Sequence, residues 1–311
     1  MRLEQLRYLC EIVDAKFNIS RAAESLHISQ PAISKQIRLL EDELKVDLLI
    51  RNGARIAGLT AAGQSILPRA REVLIGTAGI SRLGAEVSAE RSGTLVIATT
   101  HTHARYSLLP VIETFMQEYP GVHLRLVQAN PAQILEAIAS GKADIGVSSD
   151  EGDYSNEVVQ FRGMKLERCV MALRGHPVFK LKRLTLQGLS TYPLILLDPS
   201  FAGGRIVLEG FSRRGLSPNV VMTATDSDVI KAYAKLGLGV AILPMMTFDP
   251  APDAPLRALP ANHLFGSAQS TVLVRANTYI PTYMRAFIER IAPNALSRRS
   301  QRLTRALSRQ S

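Results

Sequence analysis

Residues 18–38 read Asn-Ile-Ser-Arg-Ala-Ala-Glu-Ser-Leu-His-Ile-Ser-Gln-Pro-Ala-Ile-Ser-Lys-Gln-Ile-Arg, and no other run restricts the fold as much. Ile19, Ala22, Ala23 and Leu26 recur at helical spacing, and the paired alanines leave room for another helix to cross closely. Ser29 then offers an N-cap, with Pro31 in the first turn of a second helix, where its missing N–H costs nothing. Ile33, Ile37 and Leu40 make that helix's core stripe, which leaves Gln30, Ser34, Lys35 and Arg38 facing outward. Two short helices joined by a tight break, with the second so exposed, have the form of a DNA-reading helix-turn-helix. Glutamine pairs with adenine, serine permits close approach, and the two cations suit guanine edges or phosphates. The candidate DNA contacts are therefore Gln30, Pro31, Ser34, Lys35 and Arg38.

The flanks agree with that reading. Leu6, Leu9, Cys10 and Val13 form the stripe of a preceding helix, and residues 46–50 and 55–59 read as two strands around the turn pair Asn52-Gly53. A winged helix-turn-helix over residues 1–60 is expected. Arg51 and Arg55 on the hairpin either reach a minor groove or phosphate, or are simply solvated.

The chain has 311 residues, some two hundred more than such a module uses, so further lobes with real cores are encoded. Net charge is +10, yet residues 1–90 carry 12 basic against 11 acidic side chains, while 294–311 hold Arg298, Arg299, Arg302, Arg305 and Arg309 with no acid. Half of the excess sits in that tail, which reads as a disordered basic segment, so the helix pattern and not the pI carries the nucleic-acid argument. The two cysteines, Cys10 and Cys169, read as buried thiols of a reducing cytosol. The start shows no leader pattern and no apolar run reaches the ~18 residues of a membrane span, so a cytoplasmic protein without a membrane partner is expected.

Residues 61–90 are helical in pattern. Ile66, Ala70, Val73, Thr77, Ile80, Gly84 and Val87 alternate in steps of four and three, a seam that fits a partner helix in a dimer, though it could equally pack on its own chain; Pro68 could kink it. Beyond the polar break at 89–93, strands and helices alternate in two sets, so that residues 91–293 read as a two-lobed α/β domain of periplasmic-binding-protein-like architecture. Lobe I takes about 91–163 and 268–293, and lobe II about 164–267. The whole is an α/β multidomain chain with a small-molecule effector expected in the cleft.

Two loops carry candidate chemistry. Thr99-Thr100-His101-Thr102-His103 joins a strand end to a helix start, and residues 223–228 do the same in the other lobe. Hydroxyls and free amides at a helix start suit an anion, the plain alternative being N-capping, which is favoured for Asp226 and Ser227. His101 and His103 have no Cys or carboxylate near them in sequence to complete a metal site, so no metal and no cofactor are expected. The sequence lacks the hydrolase elbow, the phosphate loop and the zincin helix, and nothing else in it argues for an enzyme.

From Ala22-Ala23 through Ser29-Gln30-Pro31-Ala32-Ile33-Ser34, and in its order of elements, the chain resembles the LysR-type transcriptional regulators over nearly its whole length. Residues 98–106 and 223–231 are similar to the CysB-like group, regulators of sulfur assimilation and cysteine biosynthesis. The resemblance implies a homotetramer on promoter DNA, acting on RNA polymerase in response to a bound sulfate, acetylserine or related anion. It implies effector contacts at Thr100 and Thr102, with Ser149 where a threonine is usual. His103 stands where glutamine is expected and Ala202 where threonine is expected, so the group's pattern is altered at two effector positions. The alternatives are a regulator of the same family answering another small acid, or a two-lobed binding protein or enzyme whose N-terminal helices make protein contacts.

Overall fold

The computed structural model describes residues 1–53, 55–87, 92–150, 152, 157–293 and 295. They fall into two compact units, Met1–Ala89 and Glu90–Ser311. Of the expected basic tail, only Ala295 is among the described residues.

The N-terminal unit runs α1 (Leu3–Asp14), α2 (Ile19–Ser25), α3 (Gln30–Leu44), β1 (Leu49–Asn52), β2 (Arg55–Leu59) and α4 (Ala61–Val87). Asn18 caps α2, its Oδ1 accepting from Arg21 N at 3.1 Å. Ser29 caps α3 by accepting from Ala32 N at 3.4 Å, with Pro31 in the first turn. The stripe of α3, Ile33, Ile37 and Leu40, is buried against Leu6, Leu9 and Ile12 of α1 and Ala22 of α2. β1 and β2 pair antiparallel, with Asn52 opposite Arg55 and Gly53 at φ +63° closing the turn.

Glu41 explains why the first wing strand begins at Leu49 and not at Val46. This buried carboxylate, 6% exposed, accepts from Leu48 N at 2.8 Å and Leu49 N at 3.2 Å through Oε1. It also takes both terminal nitrogens of Arg51, at 3.2 and 2.6 Å. Arg51, read as either a groove contact or a solvated side chain, is held bidentately by Glu41 and ties the wing to the end of α3.

The seam of α4 divides. Ile66, Leu67, Ala70 and Leu74 join the core of the same unit, and Arg71 Nη2 meets Asp14 Oδ1 of α1 at 2.6 Å. Val73, Ile80 and Leu83 are instead exposed, by 43, 72 and 46%. The first half of the helix thus packs on its own chain and only the second half presents an open apolar face; the side chain of Val87 lies outside the described residues. Pro68 sits on the exposed side without ending the helix.

The C-terminal unit continues with β3 (Gly93–Thr99), α5 (Leu109–Glu118), β4 (Val122–Gln128), α6 (Pro131–Ala139), β5 (Ile145–Ser148), β6 (Val158–Leu166), β7 (Arg168–Leu173) and α7 (Leu186–Leu189). Then come β8 (Leu194–Leu197), α8 (Ala202–Ser212), β9 (Val220–Ala224), α9 (Ser227–Lys235), β10 (Val240–Pro244), β11 (Leu256–Pro260), α10 (Asn262–Phe265), β12 (Ala268–Arg275) and α11 (Thr282–Ile291). One sheet has the order β4-β3-β5-β12-β6 and the other β11-β7-β10-β8-β9. In each, four strands run in one direction and one runs against them, β12 in the first sheet and β7 in the second, so both sheets are mixed. The chain crosses from the first sheet to the second at Glu167, between β6 and β7, and returns between α10 and β12. Strands β6 and β11, which have no clean alternation in sequence, complete the edges.

Each lobe closes over its own core. Leu95, Ile97, Phe115, Phe287 and Ile288 fill the first, and Val170, Leu194, Leu196, Val207 and Phe211 the second. The approach of α8 to β8 is closest at Gly204, where an added Cβ would stand 2.1 Å from the Leu197 carbonyl oxygen. The Gly203-Gly204 pair, which in sequence signals only a turn, therefore lies inside the first turn of a helix seated on a strand end.

Replacing Glu41 by alanine should destabilise the N-terminal unit by roughly 3–5 kcal/mol, because it leaves Arg51 and two wing amides without their acceptor. Urea unfolding of wild type and Glu41→Ala checks this; a loss below about 1 kcal/mol would show that the clamp is only a surface pair.

Candidate functional site

On the N-terminal unit, Gln30, Pro31, Lys35 and Arg38 are exposed along the start of α3 and Ser34 is half-buried beside them. Gln30 Oε1 accepts from Ser20 Oγ at 3.2 Å, which steadies the side chain at the helix start. An open groove of about 630 Å³ runs between this helix start and the wing, lined by Lys16, Ser20, Gln30, Asn52 and Arg55 among others. Arg55 thus shares the groove with Gln30, whereas Arg51 is bound to Glu41. Lys16 escaped the sequence reading because it stands in a loop; with Phe17 it adopts positive φ, +54° and +62°, which places it at the groove wall.

In the C-terminal unit a cleft opens where strand ends and helix starts of the two lobes face each other. It leaves about 40 Å³ between Thr100, Thr102, Ser149 and Asp150 on one side and Leu197, Phe201, Ala202 and Gly203 on the other, room for a few water-sized groups. Thr102 Oγ1 and Ser227 Oγ share a hydrogen bond of 2.8 Å across the lobes, both residues being buried. Thr99 turns inward, donating to Val147 O at 3.0 Å, so it braces the strand end while Thr100 lines the cleft. Asp150 reaches over to α8, its Oδ1 2.7 Å from Arg205 Nη2 and its Oδ2 accepting from Ala202 N at 3.4 Å.

His103 does not line the cleft. The residues expected to start an α-helix here form one π-turn, His103–Ser107, before α5 begins, and the wider turn swings the imidazole inward to 1% exposure. Nδ1 lies 2.8 Å from Ser107 Oγ and Nε2 2.8 Å from Ser149 Oγ. Burial lowers its pKa from 6.5 to about 4, so the ring is neutral at physiological pH. At this expected effector position the imidazole instead holds Ser149 from behind.

The loop 223–228 caps α9, with Asp226 Oδ1 accepting from Asp228 N at 2.7 Å and Val229 N at 3.3 Å, as capping chemistry requires. The same loop brings two carboxylates to His101 that the sequence kept 125 residues away. Nδ1 lies 3.2 Å from Asp226 Oδ1, close enough for an ion pair but misaligned for a hydrogen bond, and Nε2 lies 3.9 Å from Asp228 Oδ2. The three residues can place one ligand atom each within 4.8 Å of one another. Asp228, however, already meets Arg105 Nε at 2.7 Å and Lys231 Nζ at 3.3 Å and accepts from the Tyr106 hydroxyl. Burial by itself would raise the Asp228 carboxyl, but the Tyr106 hydrogen bond, Lys231 and Arg105 outweigh it and hold the group below the usual carboxylate range. With two cations in place the cluster works as an ion-paired seam between the lobes.

Arg168, at the crossing from β6 to β7, was not singled out by any sequence pattern. Its side chain lines the cleft at 5% exposure.

Two family descriptions match the chain: "Bacterial regulatory helix-turn-helix protein, lysR family" over residues 3–64 and "LysR substrate binding domain" over residues 88–295. The chain belongs to the LysR family. It is 40% identical to the HTH-type transcriptional regulator CysB of Haemophilus influenzae over 294 residues, which covers 94% of this chain and 91% of that one. It is 38% identical to the HTH-type transcriptional regulator SsuR of Burkholderia cenocepacia, covering 94 and 96%. The crystal structure of the cofactor-binding domain of the Cbl transcriptional regulator superposes with a TM-score of 0.62 at 33% identity, over 65% of this chain and 88% of that domain.

The chain is therefore a LysR-type transcriptional regulator, related to regulators and not to enzymes, and the cleft lies wholly inside its LysR substrate-binding domain. Among the described residues no helix is long and apolar enough to cross a membrane.

Because the buried His103 is less basic folded than unfolded, its contribution to stability is complete above pH 6.5 and is lost as pH falls toward about 4, on the order of 3 kcal/mol in all. His103→Gln should flatten that part of the stability profile while keeping a hydrogen bond to Ser149. Thermal midpoints measured between pH 4 and 7 test it; parallel profiles for the two proteins would remove His103 as the titrating group.

Proposed function

We propose that this regulator controls sulfur-metabolism genes from the cytoplasm, binding promoter DNA through α3 and a small sulfate- or acetylserine-like anion between the two lobes of residues 91–293. What supports the reading most is that Thr100 and Thr102, from the string similar to the CysB-like group, meet Ser149 at one cleft. Gln30, Pro31, Ser34, Lys35, Arg38 and Arg55 are the proposed DNA contacts. RNA polymerase is the proposed recipient of the signal.

We further propose a homotetramer. Val73, Ile80 and Leu83 on α4 supply one apolar face. Leu109 and Met116 on α5, Leu126 on β4, and Val229 and Tyr233 on α9 are further exposed apolar side chains on the lobes. Sedimentation of wild type against Ile80→Glu should show the mutant dropping to smaller species.

Gln30→Ala should cost about 1–3 kcal/mol of discrimination at one base pair. Lys35→Ala should weaken all sequences alike and reduce the salt slope by about one. Fluorescence anisotropy on a promoter fragment across a salt series separates the two; unchanged binding in the double mutant would defeat the reading of α3. For the effector, calorimetric titration of the full chain with sulfate, thiosulfate, O-acetylserine, N-acetylserine and adenosine phosphosulfate is expected to give saturable heat that Thr100→Ala abolishes. Heat from non-sulfur carboxylates alone would favour the second reading, a LysR-type regulator of another small acid, which the alanine at 202 and the buried His103 already point toward.

A further inference from the structure

The cleft holds a cation with nothing to balance it. Arg168 is 5% exposed, its Nε is fully shielded without a hydrogen-bond partner, and its guanidinium enters no ion pair among the described residues. Arginines so deeply buried are otherwise paired, because an isolated charge away from water is costly. The two acidic residues lining the same cleft pair with other cations: Asp150 with Arg205 at 2.7 Å, and Glu167, in an exposed pair, with Lys165 at 3.3 Å. His103 is neutral and faces away. Arg168 is thus the one cationic side chain among the described residues lining the cleft.

Its surroundings say what the missing partner is. A Cβ added to Gly203 would stand 4.0 Å from Arg168 Nη1, so the guanidinium lies beside the first turn of α8. That helix is 11 residues long, its N-cap, Phe201, offers no side-chain acceptor, and the Asp150 contact to its first amide, Ala202 N, is a long 3.4 Å. A negative group placed here meets the guanidinium fork, the positive end of a helix and the hydroxyls of Thr100 and Ser149 together.

We infer that Arg168 is the charge-selecting residue of the cleft, holding the acid group of the effector, a small oxyanion or a carboxylate, against the start of α8. This rests on the reading of the cleft as the effector site. The shift of Arg168 itself agrees with the geometry: burial lowers its pKa, the mark of a charge that has lost water and gained no partner. A neutral molecule leaves that cost standing and is rejected. An anion relieves it.

The test uses the full chain as wild type, Arg168→Gln and Arg168→Lys. Each is titrated by calorimetry with sodium sulfate, with N-acetylserine and with the methyl ester of N-acetylserine, at ionic strength matched with sodium chloride. Wild type should bind sulfate or N-acetylserine and not the ester. Arg168→Gln should bind the same anion about 10- to 100-fold more weakly, and Arg168→Lys in between, since an ammonium restores the charge but not the fork. Sulfate saturating first identifies a free inorganic oxyanion, N-acetylserine first the carboxylate of an organic effector. In a chloride buffer free of oxyanions and carboxylates Arg168→Gln should melt at or above the wild-type temperature, because it removes an unpaired buried charge. Should Arg168→Gln fail to fold, Arg168→Lys with the ester arm decides.

Equal anion affinity in wild type and both variants overturns the inference, as does ester binding as tight as the acid, or no anion binding in any arm. If Thr100→Ala still abolishes binding in the first two cases, the effector-site reading stands without Arg168. If binding survives both Arg168→Gln and Thr100→Ala, the effector-site reading falls as well.

Discussion

Thr102 and Ser227 share one hydroxyl hydrogen bond of 2.8 Å, buried on both sides, and the geometry of the effector unit is arranged around it. Thr102 belongs to the turn that leaves β3, and Ser227 is the first residue of α9 in the other lobe. A buried hydroxyl that loses its partner carries the full desolvation penalty, so this contact fixes how the two helix starts face each other. The His101, Arg105, Tyr106 and Lys231 seam around Asp226 and Asp228 follows from that juxtaposition, as does the bridge from Asp150 to α8. The lobes meet through polar groups that water or a ligand can replace, while each keeps its own apolar core.

Charge in this unit is placed with the same economy. The His103 imidazole, at an expected effector position, is kept neutral by burial and spends both nitrogens on serines. The nearby aspartates are matched by fixed cations, while among the described residues lining the cleft a buried guanidinium at the crossing between the lobes has no charged partner. In the N-terminal unit, by contrast, the buried carboxylate Glu41 is fully used, bonding two wing amides and Arg51. Rigid wing and replaceable cleft are two uses of the same rule, that buried polar groups must find partners.

Local signals were read well where one residue's role depended on its neighbours in sequence. The caps Ser29 and Asp226, the stripe of α3 and the turn at Asn52-Gly53 all stand where propensity and periodicity put them. The strands β6 and β11 were not legible, because their side chains meet partly solvated edges and show no regular alternation. The α4 seam was legible as apolar but not as to partner, since the same spacing serves α1 on its own chain and an open face further along.

What the sequence determined by itself is the helix-turn-helix, its outward-facing Gln30, Lys35 and Arg38, the alternation that makes two α/β lobes, and the hydroxyl-rich loop at 99–102. These follow from short-range sterics, capping and periodic burial, which are properties of adjacent residues. Only the tertiary structure decided which polar groups have partners. It turned His103 inward through a π-turn, bound Arg51 to Glu41, brought Asp226 and Asp228 to His101, and left Arg168 alone in the cleft. Those outcomes depend on the distance between residues far apart in the chain and on exclusion of water, quantities that exist only once both lobes have folded and met.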